Sequence, residues 1–211
     1  RRDMNLTNYY WYFKSAIPLH VCDDIVKYAK SIQDQMAVTG GLGNKKLNEK
    51  EIQDLKKKRD SDIVWLNERW IYNAIHPFIH QANKNANWNF EWSFSESCQF
   101  TKYKKGQYYD WHCDSWDRPY HKPEEPNSHG KQRKLSVTLS LSNDKDYSGG
   151  ELEFDMRNKD PDKKTNTHVL KEIRSKGSLV VFPSDVWHRV KPVKRGERNS
   201  LVIWNLGYPF Q

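Results

Sequence analysis

Trp111-His112-Cys113-Asp114 sets an imidazole and a carboxylate two residues apart, and a second imidazole follows far downstream in Val186-Trp187-His188-Arg189-Val190. Arg198 comes ten residues after His188. Two histidines and one carboxylate are the donor set of a non-haem iron site that leaves coordination positions open. A guanidinium close by would hold an anionic ligand next to it. In a chain with eight histidines, one His-x-Asp is a chance-level pair. Its weight comes from the company it keeps.

That chemistry needs strands. Side chains alternate along a strand, so His112 and Asp114 are expected on one face, with Trp111 and Cys113 on the other. Val186, His188 and Val190 share a second face, opposite Trp187 and Arg189. A pair from one strand and a third ligand from a distant strand make a facial triangle. On this parity Cys113 is a packing residue. Arg198 enters Asn199 to Leu206, a strand of the interior type, and an arginine there needs a buried anion, for which a carboxylate bound through two parallel hydrogen bonds is suited.

Along the chain, residues 9 to 18 read as an aromatic strand closing at Pro18. Cys22-Asp23-Asp24 precedes Ile25, Val26, Ala29 and Ile32, spaced for an amphipathic helix that should end before Gly40 to Gly43. Residues 48 to 59 suggest a short exposed helix. Asn67 to Asn83 carries a helical stripe interrupted by Pro77, which predicts a kink or a break. From Trp88 the period changes to alternation: Phe90 to Phe94, Cys98 to Tyr103, Tyr108 to Asp114 and, most clearly, Lys134 to Ser142, with Leu135, Val137, Leu139 and Leu141 on one face. Glu151 to Phe154, Val169 to Ile173, Ser178 to Phe182, Val186 to Val190 and Ser200 to Leu206 complete the series. Short, evenly spaced strands with Gly and Pro turns predict a mainly β fold with an α-helical layer and a jelly-roll, cupin-like core. One domain is expected over 1–211, with a helix-rich part at 1–87 packing on a core at 88–211. The polar segment 115–133 carries three prolines and starts directly after Asp114, which suits a lid over the site.

Composition narrows the classes. No apolar run approaches the length of a membrane span, and no apolar leader follows Arg1-Arg2, so a soluble, intracellular, cytoplasmic protein is expected. Three widely spaced cysteines, Cys22, Cys98 and Cys113, with no C-x-x-C, argue for reduced thiols rather than disulfides or structural zinc. The net charge of +8 could favour nucleic acid. The basic residues are nevertheless dispersed among acids, as on a solvated surface.

Tyr103-Lys104-Lys105-Gly106-Gln107-Tyr108-Tyr109-Asp110-Trp111-His112-Cys113-Asp114 resembles the Tyr-x-x-Gly-x-x-Tyr-x-x-His-x-Asp opening of Fe(II)/2-oxoglutarate dioxygenases, in the branch of prolyl 4-hydroxylases and related bacterial and phage hydroxylases. Ser148-Gly149-Gly150-Glu151-Leu152-Glu153-Phe154, Gly177 to Pro183 and His188-Arg189-Val190 follow that branch in order, as do Arg198 and Trp204. The resemblance runs from Phe94 to Tyr208. It implies that His112, Asp114 and His188 bind Fe(II), and that Arg198, helped by the Tyr103 hydroxyl, binds the far carboxylate of 2-oxoglutarate. It further implies that Leu139, Leu141, Leu152 and Trp204 wall the pocket. The implied reaction oxidises 2-oxoglutarate with O2 to succinate and CO2 while hydroxylating a substrate C–H bond, with ascorbate as a reductant. Many prolyl hydroxylases have Lys where this chain has Arg198.

A peptide or protein substrate, with peptidyl proline first, follows from the resemblance; nothing in the residues themselves specifies proline. Two other functions compete. The basic charge raises oxidative demethylation of nucleic acid, disfavoured because that branch places its arginines differently after the distal histidine. A cupin-like protein that merely binds a metal is the non-enzymatic reading. Cosubstrate turnover separates it from the first two.

Overall fold

The strands form from alternating residues, buried on one face at the margins of the sheets and on both at their centre. The structure is a computed structural model describing residues 9–39 (side chains to 33), 59–156 and 166–210. In chain order its elements are β1 (Trp11–Phe13), α1 (Leu19–Thr39), β2 (Arg59–Asp60), β3 (Asp62–Leu66), α2 (Arg69–Asn85), β4 (Phe94–Ser95), β5 (Cys98–Tyr103), β6 (Tyr108–His112) and β7 (Gln132–Ser140). They continue with β8 (Tyr147–Gly149), β9 (Leu152–Asp155), β10 (Thr167–Val169), β11 (Leu179–Pro183), β12 (His188–Val190), β13 (Val193–Gly196) and β14 (Arg198–Gly207).

A seven-stranded sheet has the order β1-β11-β7-β14-β5-β3, with β4 against the end of β14. A five-stranded sheet has the order β10-β9-β12-β6-β2, and β13 pairs with β8 in a two-stranded ribbon. The pairings are antiparallel. One apolar cluster holds Phe154, Phe182, Val180 and Val190 between the two sheets. A second joins Ile25 and Ala29 of α1 and Ile71, Ile75 and Ile79 of α2 to Leu135, Val137, Leu139, Leu201 and Ile203 on the outer face of the large sheet. The molecule is therefore three layers: helices, large sheet, small sheet. The strand β7 is buried on both faces because it lies in the middle one.

Several boundaries differ from expectation for identifiable reasons. The helix α1 starts at Leu19, before Cys22, because Cys22 itself belongs to the buried stripe with Ile25 and Ala29. The helix α2 runs unbroken through Pro77; both Pro77 and Asn73, whose carbonyl loses its partner, face solvent, so water can satisfy it. Of the stretch Phe90 to Phe94 only Phe94 pairs. The Asn83 side chain accepts from the Phe90 amide and donates to its carbonyl, taking over both backbone groups. The strand β3 went unread because Ile63, Val64, Trp65 and Leu66 are apolar on both parities, although only Val64 and Leu66 are buried. The Gly40 to Gly43 turn and residues 48–58 of the short helix lie outside the described residues.

Candidate metal centre

The sheet register, rather than sequence proximity, assembles the three ligands. His188 on β12 is the direct cross-strand partner of His112 on β6. Asp114 lies two residues beyond the end of β6, where strand pairing no longer fixes its direction. Its position comes instead from the turn after β11, where the Ser184 carbonyl accepts from the amides of both Asp114 (2.8 Å) and Ser115 (3.0 Å). The ligand atoms of His112, Asp114 and His188 all lie within 4.8 Å of one another, and all three residues are buried. The Asp114 Oδ1 atom is 3.6 Å from the Nε2 of each histidine.

Both imidazoles are oriented identically. His112 Nδ1 donates to the Asp110 carbonyl (2.7 Å) and His188 Nδ1 to the Val186 carbonyl (2.9 Å). A carbonyl only accepts, so Nδ1 of each ring carries a proton and Nε2 is the nitrogen turned toward Asp114. Stacking on Tyr109, at 3.6 Å between centroids, and edge contact of Phe182 with His188 hold the rings. Burial, reinforced by His188, pushes the His112 imidazole down to about 3, so its lone pair is free at neutral pH. Burial opposes the Asp114 charge, but the two imidazoles and the Ser136 hydroxyl more than offset it and keep the carboxyl below its ordinary range. Two imidazole nitrogens and one carboxylate oxygen converging on a point are a donor set for a divalent metal.

A cleft between the sheets is lined by the triad and by Arg198. Arg198 and Tyr103 face each other across β14 and β5, with the guanidinium 5.5 Å from the ring centroid. Both are buried, Arg198 to 4% exposure. No carboxylate among the described residues pairs with Arg198. Leu152 and Trp204 also line the cleft. The Trp204 indole Nε1 is buried there without a hydrogen-bond partner. An unpaired buried donor costs about 1–3 kcal/mol, and this one belongs to a side chain of the cleft wall.

Leu139 and Leu141, expected as pocket walls, are not in the cleft. They belong to the cluster beneath the helices. On β7 it is the hydroxyl face, Ser136, Thr138 and Ser140, that turns toward the small sheet, and Thr138 lines the cleft. The leucine face of β7 packs under the helices and its hydroxyl face toward the cleft, the reverse of the expectation. The helices demand the leucines.

Polar residues not singled out from the sequence complete the wall. Arg59 on β2 reaches from the small sheet to the large one, donating to Gln99 Oε1 (2.7 Å) and lying 4.5 Å over the Tyr109 ring. Thr101 donates to the same Gln99 oxygen (3.2 Å). With its oxygen doubly engaged, Gln99 presents its amide hydrogens as donors in the cleft it lines. The polar parity of Gln99, Thr101 and Tyr103 on β5 is a signal that alternation alone could have given. The segment after Asp114 folds back on itself, Tyr120 N–H donating to the Lys131 carbonyl (2.8 Å) and Gly130 N–H to that of Tyr120 (2.9 Å). The Tyr120 hydroxyl and Arg133 both bond Glu96, and Arg133 lies 3.8 Å over Trp204 and 5.1 Å from Trp116.

Residues 98–205 match the family model described as 2OG-Fe(II) oxygenase superfamily. A PKHD-type hydroxylase of Pseudoalteromonas atlantica is 34% identical over 108 residues, which are 50% of this chain and 41% of that protein. The chain thus spans about two fifths of the length of this relative. Among solved structures, the viral collagen prolyl hydroxylase of Paramecium Bursaria Chlorella virus-1 superposes with a TM-score of 0.63 at 20% identity, covering 94% of this chain and 96% of that one. A Pseudomonas putida prolyl-4-hydroxylase gives the same TM-score and identity over 94% and 92%. These structures share the fold of this chain, a jelly-roll sandwich under a helical layer.

Proposed function

The chain belongs to the 2OG-Fe(II) oxygenase superfamily, and on that premise we propose that it is a 2-oxoglutarate-dependent hydroxylase acting on a C–H bond of a peptide or protein, with a prolyl residue the first substrate to test. One observation carries the reading: a buried triad in a cleft that is also lined by a buried arginine without a described carboxylate partner. The donor set fits Fe(II), and the unpartnered Trp204 Nε1 fits a ligand in the cleft.

In this reading His112, Asp114 and His188 hold Fe(II), which when bound supplies the oxygen-activating redox chemistry coupled to conversion of 2-oxoglutarate to succinate and CO2. Arg198 anchors the far carboxylate of 2-oxoglutarate, with the Tyr103 hydroxyl as a further donor, and Leu152 and Trp204 flank its chain. The desolvated guanidinium makes that anchor strong because water cannot compete for it. Gln99, held by Arg59 and Thr101, offers a fixed amide donor to a carbonyl oxygen of the substrate. Segment 115–133 starts beside Asp114, and its Trp116 lies against Arg133, which lies over Trp204 of the cleft wall; this supports a lid over the substrate. The hydroxylase names of relatives that exceed this chain in length support the reaction type. A structure described as a viral collagen prolyl hydroxylase supports the substrate class.

The test uses anaerobically purified protein given Fe(II), 2-oxoglutarate, ascorbate and then O2, against a library of proline-containing peptides. Succinate release coupled to the gain of one oxygen atom by a peptide is expected, and an Asp114→Ala control should show neither. Metal binding without succinate under any condition would leave a metal-binding protein in place of an enzyme.

A further inference from the structure

The carboxylate of Asp114 is held by one of its two oxygens. Ser136 Oγ donates to Asp114 Oδ2 at 2.7 Å, while Oδ1 faces both histidines. Ser136 has a single proton and gives it to the carboxylate, so its 2.9 Å contact with Ser184 Oγ is a hydrogen bond donated by Ser184. Both serines are buried, at 0% and 1% exposure. Ser184 is fixed in turn: its amide donates to the Lys134 carbonyl and its carbonyl holds the Asp114 backbone. The same turn supplies the Val186 carbonyl that orients His188, and Val186 N–H closes it on Pro183.

We propose that the Ser184–Ser136 hydroxyl pair is a positioning device that restricts Asp114 to a single oxygen toward the metal and so keeps one coordination position free for the cosubstrate. This rests on the functional reading above. A carboxylate can bind a metal through one oxygen or two. With Oδ2 tied to a buried hydroxyl, rotation into two-oxygen binding must break a charge-assisted hydrogen bond in a low-dielectric site. Without Ser136 that restraint is gone, and the second oxygen competes for the position that the cosubstrate needs. Sequence order conceals the device, because its three side chains come from β7, the turn after β11 and the segment after β6. Ser136 is therefore a positioning residue that acts through Asp114.

The test compares wild type with Ser136→Ala, Ser136→Thr and Ser184→Ala, each loaded with saturating Co(II), a spectroscopic stand-in for Fe(II). Co(II) absorption, 2-oxoglutarate affinity by calorimetry and thermal unfolding are measured. Ser136→Ala should change the Co(II) spectrum and weaken 2-oxoglutarate by about tenfold or more, within the range that outer partners of metal ligands command. Ser136→Thr should restore both, and Ser184→Ala should shift them in the same direction by less. An unchanged spectrum and affinity in Ser136→Ala overturns the proposal. So does a folded Ser136→Ala that cannot hold Co(II), which would make the hydroxyl a determinant of metal affinity. If Ser136→Ala does not fold, Ser184→Ala decides by the same two readouts. Wild-type protein that binds neither Co(II) nor 2-oxoglutarate would overturn the functional reading itself, a different outcome from wild-type-like behaviour of the variants.

Discussion

At the scale of single residues, Arg198 is the group whose role can be separated from folding and from metal binding. It is buried, lies against Tyr103, and has no described carboxylate to neutralise it. Arg198→Ala should raise the 2-oxoglutarate requirement by roughly 30-fold or more, since truncating one member of a buried charge pair costs about 2–5 kcal/mol. The Fe(II) requirement should move little. Saturation kinetics in each component check this, and equal shifts in both would assign Arg198 to general integrity. The thiols give a pH prediction. Burial pushes Cys22 up to about 11 and Cys98 up to about 12. Folded protein therefore keeps these protons at a pH where an unfolded thiol, with a pKa of about 8.5, loses them. Because the native state binds more protons in that window, stability should fall as pH rises from about 9 toward 12. Denaturant midpoints across that range check the sign, and alkylation at pH 8 should spare both thiols until the chain is unfolded. The triad and Arg198 were legible because ligand chemistry restricts residue types. Ser136 and Ser184 were not, because serine is common and the relation of these two to Asp114 exists only after three separate segments meet.

At the scale of elements, Gly150, just after β8, shows how backbone shape positions a side chain. Gly150 has φ +63°, and a Cβ there would stand 3.1 Å from Arg198 Cδ and 3.0 Å from Val193 Cγ2. Gly150→Ala should push the Arg198 side chain from its place, raise the 2-oxoglutarate requirement and lower the unfolding temperature, since overpacking costs about 1–3 kcal/mol. Unchanged cosubstrate affinity would show that Arg198 adjusts freely. The proposed lid is tested within its own closed turn. Replacing residues 121–129 with a short Gly-rich link, between the bonded ends at Tyr120 and Gly130, should remove coupled peptide hydroxylation and spare uncoupled 2-oxoglutarate decay. Loss of both together would make the segment structural. The most instructive element is β7. Its period was visible, but period cannot tell which face meets the cleft, because both faces are buried and the apolar one serves the helices.

At the scale of the whole molecule, the described residues of 1–87 are less a separate layer than parts of all three. They supply β1 and β3 to the large sheet and β2 to the small one, besides the two helices. Alternation could not reveal this, since β3 is apolar on both parities and β2 is two residues long. We propose that 1–211 folds as one cooperative unit and that 88–211 does not fold alone. Removing the helices would expose Leu135, Val137, Leu139, Leu179, Leu201 and Ile203, which are fully buried beneath them. At roughly 1.5–3 kcal/mol for each buried side chain of this kind, the loss is comparable to the roughly 5–15 kcal/mol by which a domain is stable. The fragment would also lose Arg59, whose bonds to Gln99 and Thr101 tie the sheet edges together at the cleft. Expressed alone, 88–211 should aggregate or lack a cooperative thermal transition, and it should bind Co(II) no better than an unfolded chain. A soluble fragment with a sharp transition and a Co(II) spectrum like that of the full chain would show that the jelly roll carries its own stability, leaving the N-terminal part to shape only the mouth of the cleft.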